Sequence, residues 1–225
     1  MPRSRRSPLA HVLADLDAAL ARVGARWYLF GARAAQLRGA RRATVDVDVT
    51  VFDTADSEQL LSAMRRRFAL RVPDAAGFLA ATRVLPLVHT ATSIPVDAVL
   101  GGPGLEEYFL SRASAIEHGG VSVLVPCAQD LVVMKVLAAR DHDIGDAVEM
   151  IAFDPGAVDF EAMRELLDDI GRSIGDAGML EAFARLQQAL VSSGVVLNPQ
   201  RPRVATPADM SDAPAVPRPR RRRGR

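Results

Sequence analysis

The segment Thr44-Val45-Asp46-Val47-Asp48-Val49 carries the most chemistry in this chain. Strict alternation predicts a strand over 44–52, whose side chains point to opposite faces. Val45, Val47, Val49 and Val51 then share a core face, and Thr44, Asp46 and Asp48 share the other. Two carboxylates about 7 Å apart along a strand can converge on one divalent cation. Unneutralised, they repel and one tends to hold a proton. Hard cations such as Mg²⁺ take oxygen ligands of this kind. A third acid, Asp97, alternates with apolar neighbours in Ile94-Pro95-Val96-Asp97-Ala98-Val99 and belongs to a later strand. An acid pair on a strand can equally be a solvated edge; the strand and turn that precede this one tip the reading toward chemistry.

Those positioning elements are legible. Residues 8–24 repeat Leu9, Val12, Leu13, Leu16, Leu20 and Val23 at helical spacing, with Gly24 as the stop. Trp27–Phe30 read as a short apolar strand, Gly31 as a turn, and 32–38 as a short helix. A helix follows over 57–68, then strands near 69–72, 83–89 and 94–100. Residues 105–116 read as helical and 121–125 as a strand. From Pro126 the pattern is helical only, over 127–140, 143–153, 159–170 and 176–193. The outline is a core of residues 1–125, a helical unit of 126–198, and an Arg/Pro-rich tail of 199–225 without periodicity, expected to be disordered. The fold class is α/β (α+β).

The formal charge of +1 on 225 residues hides a division. Residues 1–9 carry +3, residues 199–225 carry +6, and the body between carries −8. A flexible arginine tail of this kind can bind phosphate backbones without sequence preference, or remain solvated with no partner. Cys127, the only cysteine, excludes an intramolecular disulfide framework and a cysteine-rich zinc site. His11, His89, His118 and His142 show no metal spacing. No stretch is apolar enough for a membrane span, so the reading is a soluble cytoplasmic protein. Lys135 is the sole lysine among 28 basic residues. A lysine that survives such a bias toward arginine is a candidate phosphate contact, a compact point charge suited to a narrow site. It shares a helix face with Leu131 and Ala138, which predicts partial burial.

These residues carry a resemblance. Phe30-Gly31-Ala32, a gap, then Asp46-Val47-Asp48-Val49 resembles the nucleotidyltransferase signature of a small-residue turn followed by Asp-x-Asp. Gly39-x-x-Arg42-x-Thr44-x-Asp46-x-Asp48 is similar to the corresponding run of the AbiEii/AbiGii-toxin-like nucleotidyltransferases. So is Pro126-x-x-x-Asp130-Leu131…Lys135-x-x-Ala138-x-Arg140-x-x-Asp143-x-x-Asp146. The chain departs from the pattern at Ala32, where Gly or Ser is usual, and at His142, where lysine is common. The resemblance implies a mixed-sheet nucleotidyltransferase core. In it Asp46, Asp48 and Asp97 are the catalytic and metal-binding acids, with Mg²⁺ as the cofactor. Gly31, Ala32, Arg42, Thr44 and Lys135 would bind the nucleotide, with the Gly31 turn opening a helix toward phosphate. Arg140, Asp143 and Asp146 read as structural, Asp143 capping the second helix.

The expected reaction is transfer of a nucleoside monophosphate from an NTP to an RNA (tRNA-like) or protein acceptor. The family likeness adds a toxin–antitoxin role with an antitoxin partner. The alternatives are a non-catalytic nucleotide- or RNA-binding module on the same fold, and a small-molecule (antibiotic-type) nucleotidyltransferase.

Overall fold

A computed structural model describes residues 6–53, 57–176 and 178–195. The arginine tail therefore lies outside the described residues. Helix α1 (Pro8–Arg22) starts at Ser7, whose Oγ accepts from Ala10 N. Strand β1 (Arg26–Phe30) runs into α2 (Gly31–Leu37), and β2 spans Val47–Phe52. After α3 (Ser57–Met64) come β3 (Phe68–Leu70), α4 (Ala75–Thr82), β4 (Val84–His89) and β5 (Pro95–Leu100). These strands form a mixed sheet in the order β1-β2-β5-β4-β3, parallel only between β2 and β5.

The strand register sorts residues between faces. Val47, Val49, Val96, Ala98, Leu85 and Leu87 lie on one face and are buried. That face meets α1. His89, on the same face, hydrogen-bonds Asp15 at 3.0 Å, and Trp27 Nε1 donates to Asp17 at 3.3 Å. The opposite face carries Asp48, Asp97 and Tyr28.

Three sequence expectations need correction. Strand β2 begins at Val47 rather than Thr44, so Val45 sits outside the core and is 68% exposed. The helix expected over 105–116 is α5 (Leu105–Ser111) only, and β6 (Ser114–His118) takes the remainder. Alanine and glutamate in 113–117 favour helix locally. Gly119 and Gly120, both at positive φ, instead turn the chain into a two-residue hairpin with β7 (Val121–Val125). Helix α4 was not expected; Asp74 caps it by accepting from Gly77 N at 2.9 Å.

Between Val125 and Val195 the described residues are helical, as their sequence implies. Helices α6 (Ala128–Ala138), α7 (Asp141–Phe153), α8 (Phe160–Ile174) and α9 (Gly178–Ser192) follow one another. A single buried apolar cluster extends from Ala10 to Leu190, so these helices share the core of the sheet. Helix α2 touches both α6 and α7, which brings them beside β1 and β2.

Candidate active site

One row across the sheet defines the site. In register, Phe30 faces Asp48, Asp48 faces Asp97, and Asp97 faces Pro86. The next strand continues it, because Arg71 N donates to Pro86 O at 3.0 Å. Directly opposed residues in a sheet project to the same side. Asp48 and Asp97 therefore stand together on neighbouring parallel strands, on the face away from α1.

At one end of the row, Gly31 holds φ +66°, and a Cβ there would lie 2.0 Å from Asp48 Oδ2. Only glycine accepts both that conformation and that closeness. The turn between β1 and α2 thus exists in the shape that the Asp48 carboxylate requires. Ala32 is buried at the start of α2.

Asp46 lies one residue ahead of β2 and is exposed. Its N–H donates to Thr44 Oγ1 at 3.4 Å, so Thr44 braces the lead-in backbone. Burial pushes the Asp48 carboxyl up to about 6, with help from the charges of Asp97 and Asp46. Lys135 and Arg140 pull the other way. Asp48 is therefore short of positive charge, as an acid beside other acids should be. Among the described residues, no three Asp, Glu, His or Cys side chains gather closely enough to hold a metal ion. Asp97 has another partner, an ion pair with Arg71.

A second cluster lies beside the row. Lys135 Nζ, 5% exposed, donates to Asp143 Oδ1 at 2.7 Å and to Asp146 Oδ2 at 2.8 Å. Arg42 grips Asp146 with two bonds, Nε to Oδ1 at 2.9 Å and Nη2 to Oδ2 at 3.1 Å. Arg140 Nε donates to Asp143 Oδ2 at 2.6 Å. Both acids are buried, and burial alone would raise them. Hydrogen bonds from Lys135, Arg140 and Arg42 overcome it and hold both below the usual carboxylate value.

This cluster bears on two expectations. Lys135 does not present a bare ammonium to a ligand; two carboxylates already hold it. Asp143 does not cap α7, whose cap residue is Arg140 with no side-chain bond. The structural reading of Arg140, Asp143 and Asp146 agrees with their contacts.

Helix α7 also fixes the segment leading to Asp46. Asp146 holds the Arg42 side chain, and Glu149 accepts from Arg41 N. Phe153 packs so tightly on Gly39 that a Cβ there would lie 2.4 Å from its ring. From the other side, Gln36 Nε2 donates to Arg42 O at 2.7 Å.

Sequence reasoning missed Arg71 and Arg33. Arg33, on α2, feels the charge of Asp46, and burial holds its guanidinium below the ordinary value. No sequence signal marks either. In a chain where arginine supplies nearly all the positive charge, one more arginine is uninformative. Cys127 is half-buried, 3.2 Å from Arg112 Nη2, and burial raises its thiol. That is opposite to the activation a helix start can give. No described helix is long and apolar enough to cross a membrane.

Comparison with known proteins meets this geometry from outside. The fold is similar to the crystal structure of an antigenic nucleotidyltransferase-like protein from Paracoccidioides brasiliensis. The two are 18% identical, with 77% of this chain and 91% of that chain covered, at a TM-score of 0.50. The solution structure of the antibiotic-resistance factor ANT(2'')-Ia matches more loosely, at 13% identity over 82% of this chain and 91% of that chain, with a TM-score of 0.44. No curated protein matches the sequence. A family model matches residues 11–184, which span most of α1, the whole sheet and its acid row, and the cluster around Lys135. The chain belongs to the family described as nucleotidyltransferase of unknown function (DUF6036).

Proposed function

We propose that the protein is an active, metal-dependent nucleotidyltransferase that moves NMP from an NTP to a macromolecular acceptor. The observation that carries this reading is the pairing of Asp48 with Asp97 across parallel strands, with Gly31 shaped around the Asp48 carboxylate. The donor set fits a hard divalent ion: oxygen ligands only, and an Asp48 deficient in positive charge. Asp46, Asp48 and Asp97 would hold Mg²⁺, which would supply charge neutralisation for the triphosphate and activation of the attacking oxygen.

The chain's own residues have distinct parts in this scheme. Asp48 and Asp97 set the position of the cation. The Gly31 turn lets backbone come close to it, and Ala32 leaves that turn without a hydroxyl. Lys135 and Arg42, taken up by Asp143 and Asp146, act on the site through their field and by fixing the lead-in to Asp46. Thr44 braces that lead-in.

The narrower reading is an RNA acceptor of the tRNA kind and a place as the toxin of a toxin–antitoxin pair. It rests on the likeness of Gly39-x-x-Arg42-x-Thr44 and of the Lys135–Asp146 helix pair to the AbiEii-type enzymes. One observation favours a second reading, a non-catalytic nucleotide-binding module: Arg71 already satisfies Asp97.

The test is incubation with each α-labelled NTP, Mg²⁺, and total RNA or lysate protein, with a hydroxylated small molecule as a further acceptor. Label should move to RNA or protein. The combined change Asp46→Ala, Asp48→Ala should lower transfer about 10³-fold. Transfer to the small molecule alone would replace the acceptor class. No transfer to any acceptor would leave the binding module.

A further inference from the structure

The acid row does not end at the two carboxylates. It runs Asp48, Asp97, Pro86, Arg71 across four strands, and the last side chain folds back to the second. Two strand spacings, about 9.5 Å, separate the backbones of Arg71 and Asp97. Only a long side chain crosses that gap, and only over a neighbour that leaves room. Arg71 supplies the length and Pro86 the room. Its compact ring occupies the intervening place in the row. Its backbone offers a carbonyl to Arg71 N but has no N–H to return. Pairing between β3 and β4 accordingly stops at Leu70, and Arg71 leaves the ladder beside the site.

The ion pair it makes is half open to solvent, with side chains 38% and 36% exposed. A pair in that setting is weak and exchangeable. A guanidinium cannot take the place of a divalent ion between two carboxylates: it carries one charge, and here it is paired with Asp97. Resting on the reading of Asp48 and Asp97 as cation ligands, we propose that Arg71 is a built-in competitor for the metal. It neutralises Asp97 in the free protein and is displaced when a divalent ion takes that carboxylate. The consequence is a free protein whose affinity for metal alone is lowered by the few-fold that an exposed ion pair allows.

The test uses the full-length protein titrated with Mn²⁺ alone, without nucleotide, following free Mn²⁺ by electron paramagnetic resonance. Arg71→Ala should bind Mn²⁺ about two- to fivefold more tightly than the natural protein, the margin that an exposed ion pair allows. In an Asp97→Asn background the same change should have no effect, since the competitor has lost its partner. Arg71 lies on the surface, and circular dichroism of each variant checks that the fold is kept. Equal or weaker Mn²⁺ binding by Arg71→Ala, with binding by the natural protein intact, overturns this inference and leaves the metal site standing. Absence of Mn²⁺ binding in both proteins overturns the inference together with the metal-site reading.

Discussion

Two pairs of aspartates lie close enough to sense each other's surroundings, and they are treated in opposite ways. Asp143 and Asp146, between α6 and α7, are deeply buried, yet three cations hold them below the usual carboxylate range. Asp48 and Asp97, on the sheet, are less buried, yet Asp48 is pushed up to about 6. Burial raises all three of these carboxyls; whether positive charge is at hand to overcome it separates the outcomes. The helical cluster is complete within the chain, whereas the sheet pair lacks a counter-charge that the chain only partly provides through Arg71. A charge deficit held in place by a rigid sheet is what a cation-dependent site needs.

The sharpest way to break this contrast is to strip the helical cluster of its cation. Lys135→Met keeps length and apolar bulk but leaves two buried carboxylates with only half-exposed arginines. Removing one partner of a buried pair typically costs about 3–5 kcal/mol, and urea denaturation should read a loss of that size. Since Lys135 also lowers Asp48, the same change should push Asp48 further up. A loss below about 1 kcal/mol would mean that Lys135 is not the cluster's keystone.

The opposite test relieves the sheet pair. The native Asp48 carboxyl titrates near 6 and an unfolded one near 3.9. Below about pH 4 both states are protonated and the group is neutral in its effect. Between about 4 and 6 the native state alone holds the proton, so stability falls as pH rises through that window. Above 6 the full penalty remains. Asp48→Asn should thus stabilise the protein by at most about 3 kcal/mol at pH 7.5, with the gain vanishing by pH 4, in thermal or urea unfolding without divalent ions. The opposite sign applies to Asp143 and Asp146. Their lowered values contribute stability above the ordinary carboxyl range, and it is lost as pH falls through it. A pH-independent effect of Asp48→Asn would remove the charge deficit on which the comparison stands.

How much of this contrast the sequence discloses depends on the range of each interaction. Asp46, Asp48 and Asp97 were visible because alternation along a strand is local, and Gly31 because a turn is local. The start of β2 was misplaced by three residues, since valine at 45 obeys the alternation but has nothing to pack against. The helices after Pro126 were legible from their own periodicity. Lys135 stands out in the sequence by its rarity, but its partners Asp143 and Asp146 are fixed by the packing of α6 on α7. Arg71 was invisible because its connection to Asp97 needs the register of four strands. That β3 would lie at the sheet edge, two strands from β5, is a fact of topology, and no spacing in the sequence encodes it.

A smaller effect tells whether the two clusters act as one device. Arg42 touches the helical cluster through Asp146, but its backbone belongs to the segment that delivers Asp46. Arg42→Gln leaves Lys135 on Asp146, so the stability cost should be only about 1 kcal/mol. If the segment is positioned by α7, the transfer rate should still fall about tenfold, with KM for the NTP nearly unchanged, since misplacement of Asp46 affects the reacting geometry more than binding. Glu149→Gln should repeat the pattern more weakly, because Gln36 and Phe153 still hold the segment. A rise in KM with kcat unchanged would return Arg42 to the role its motif suggested, direct contact with the phosphates. It would also show the Asp146 pair to be a resting place rather than an anchor. The split between kcat and KM therefore reads out whether α7 belongs to the catalytic scaffold or only lies beside it.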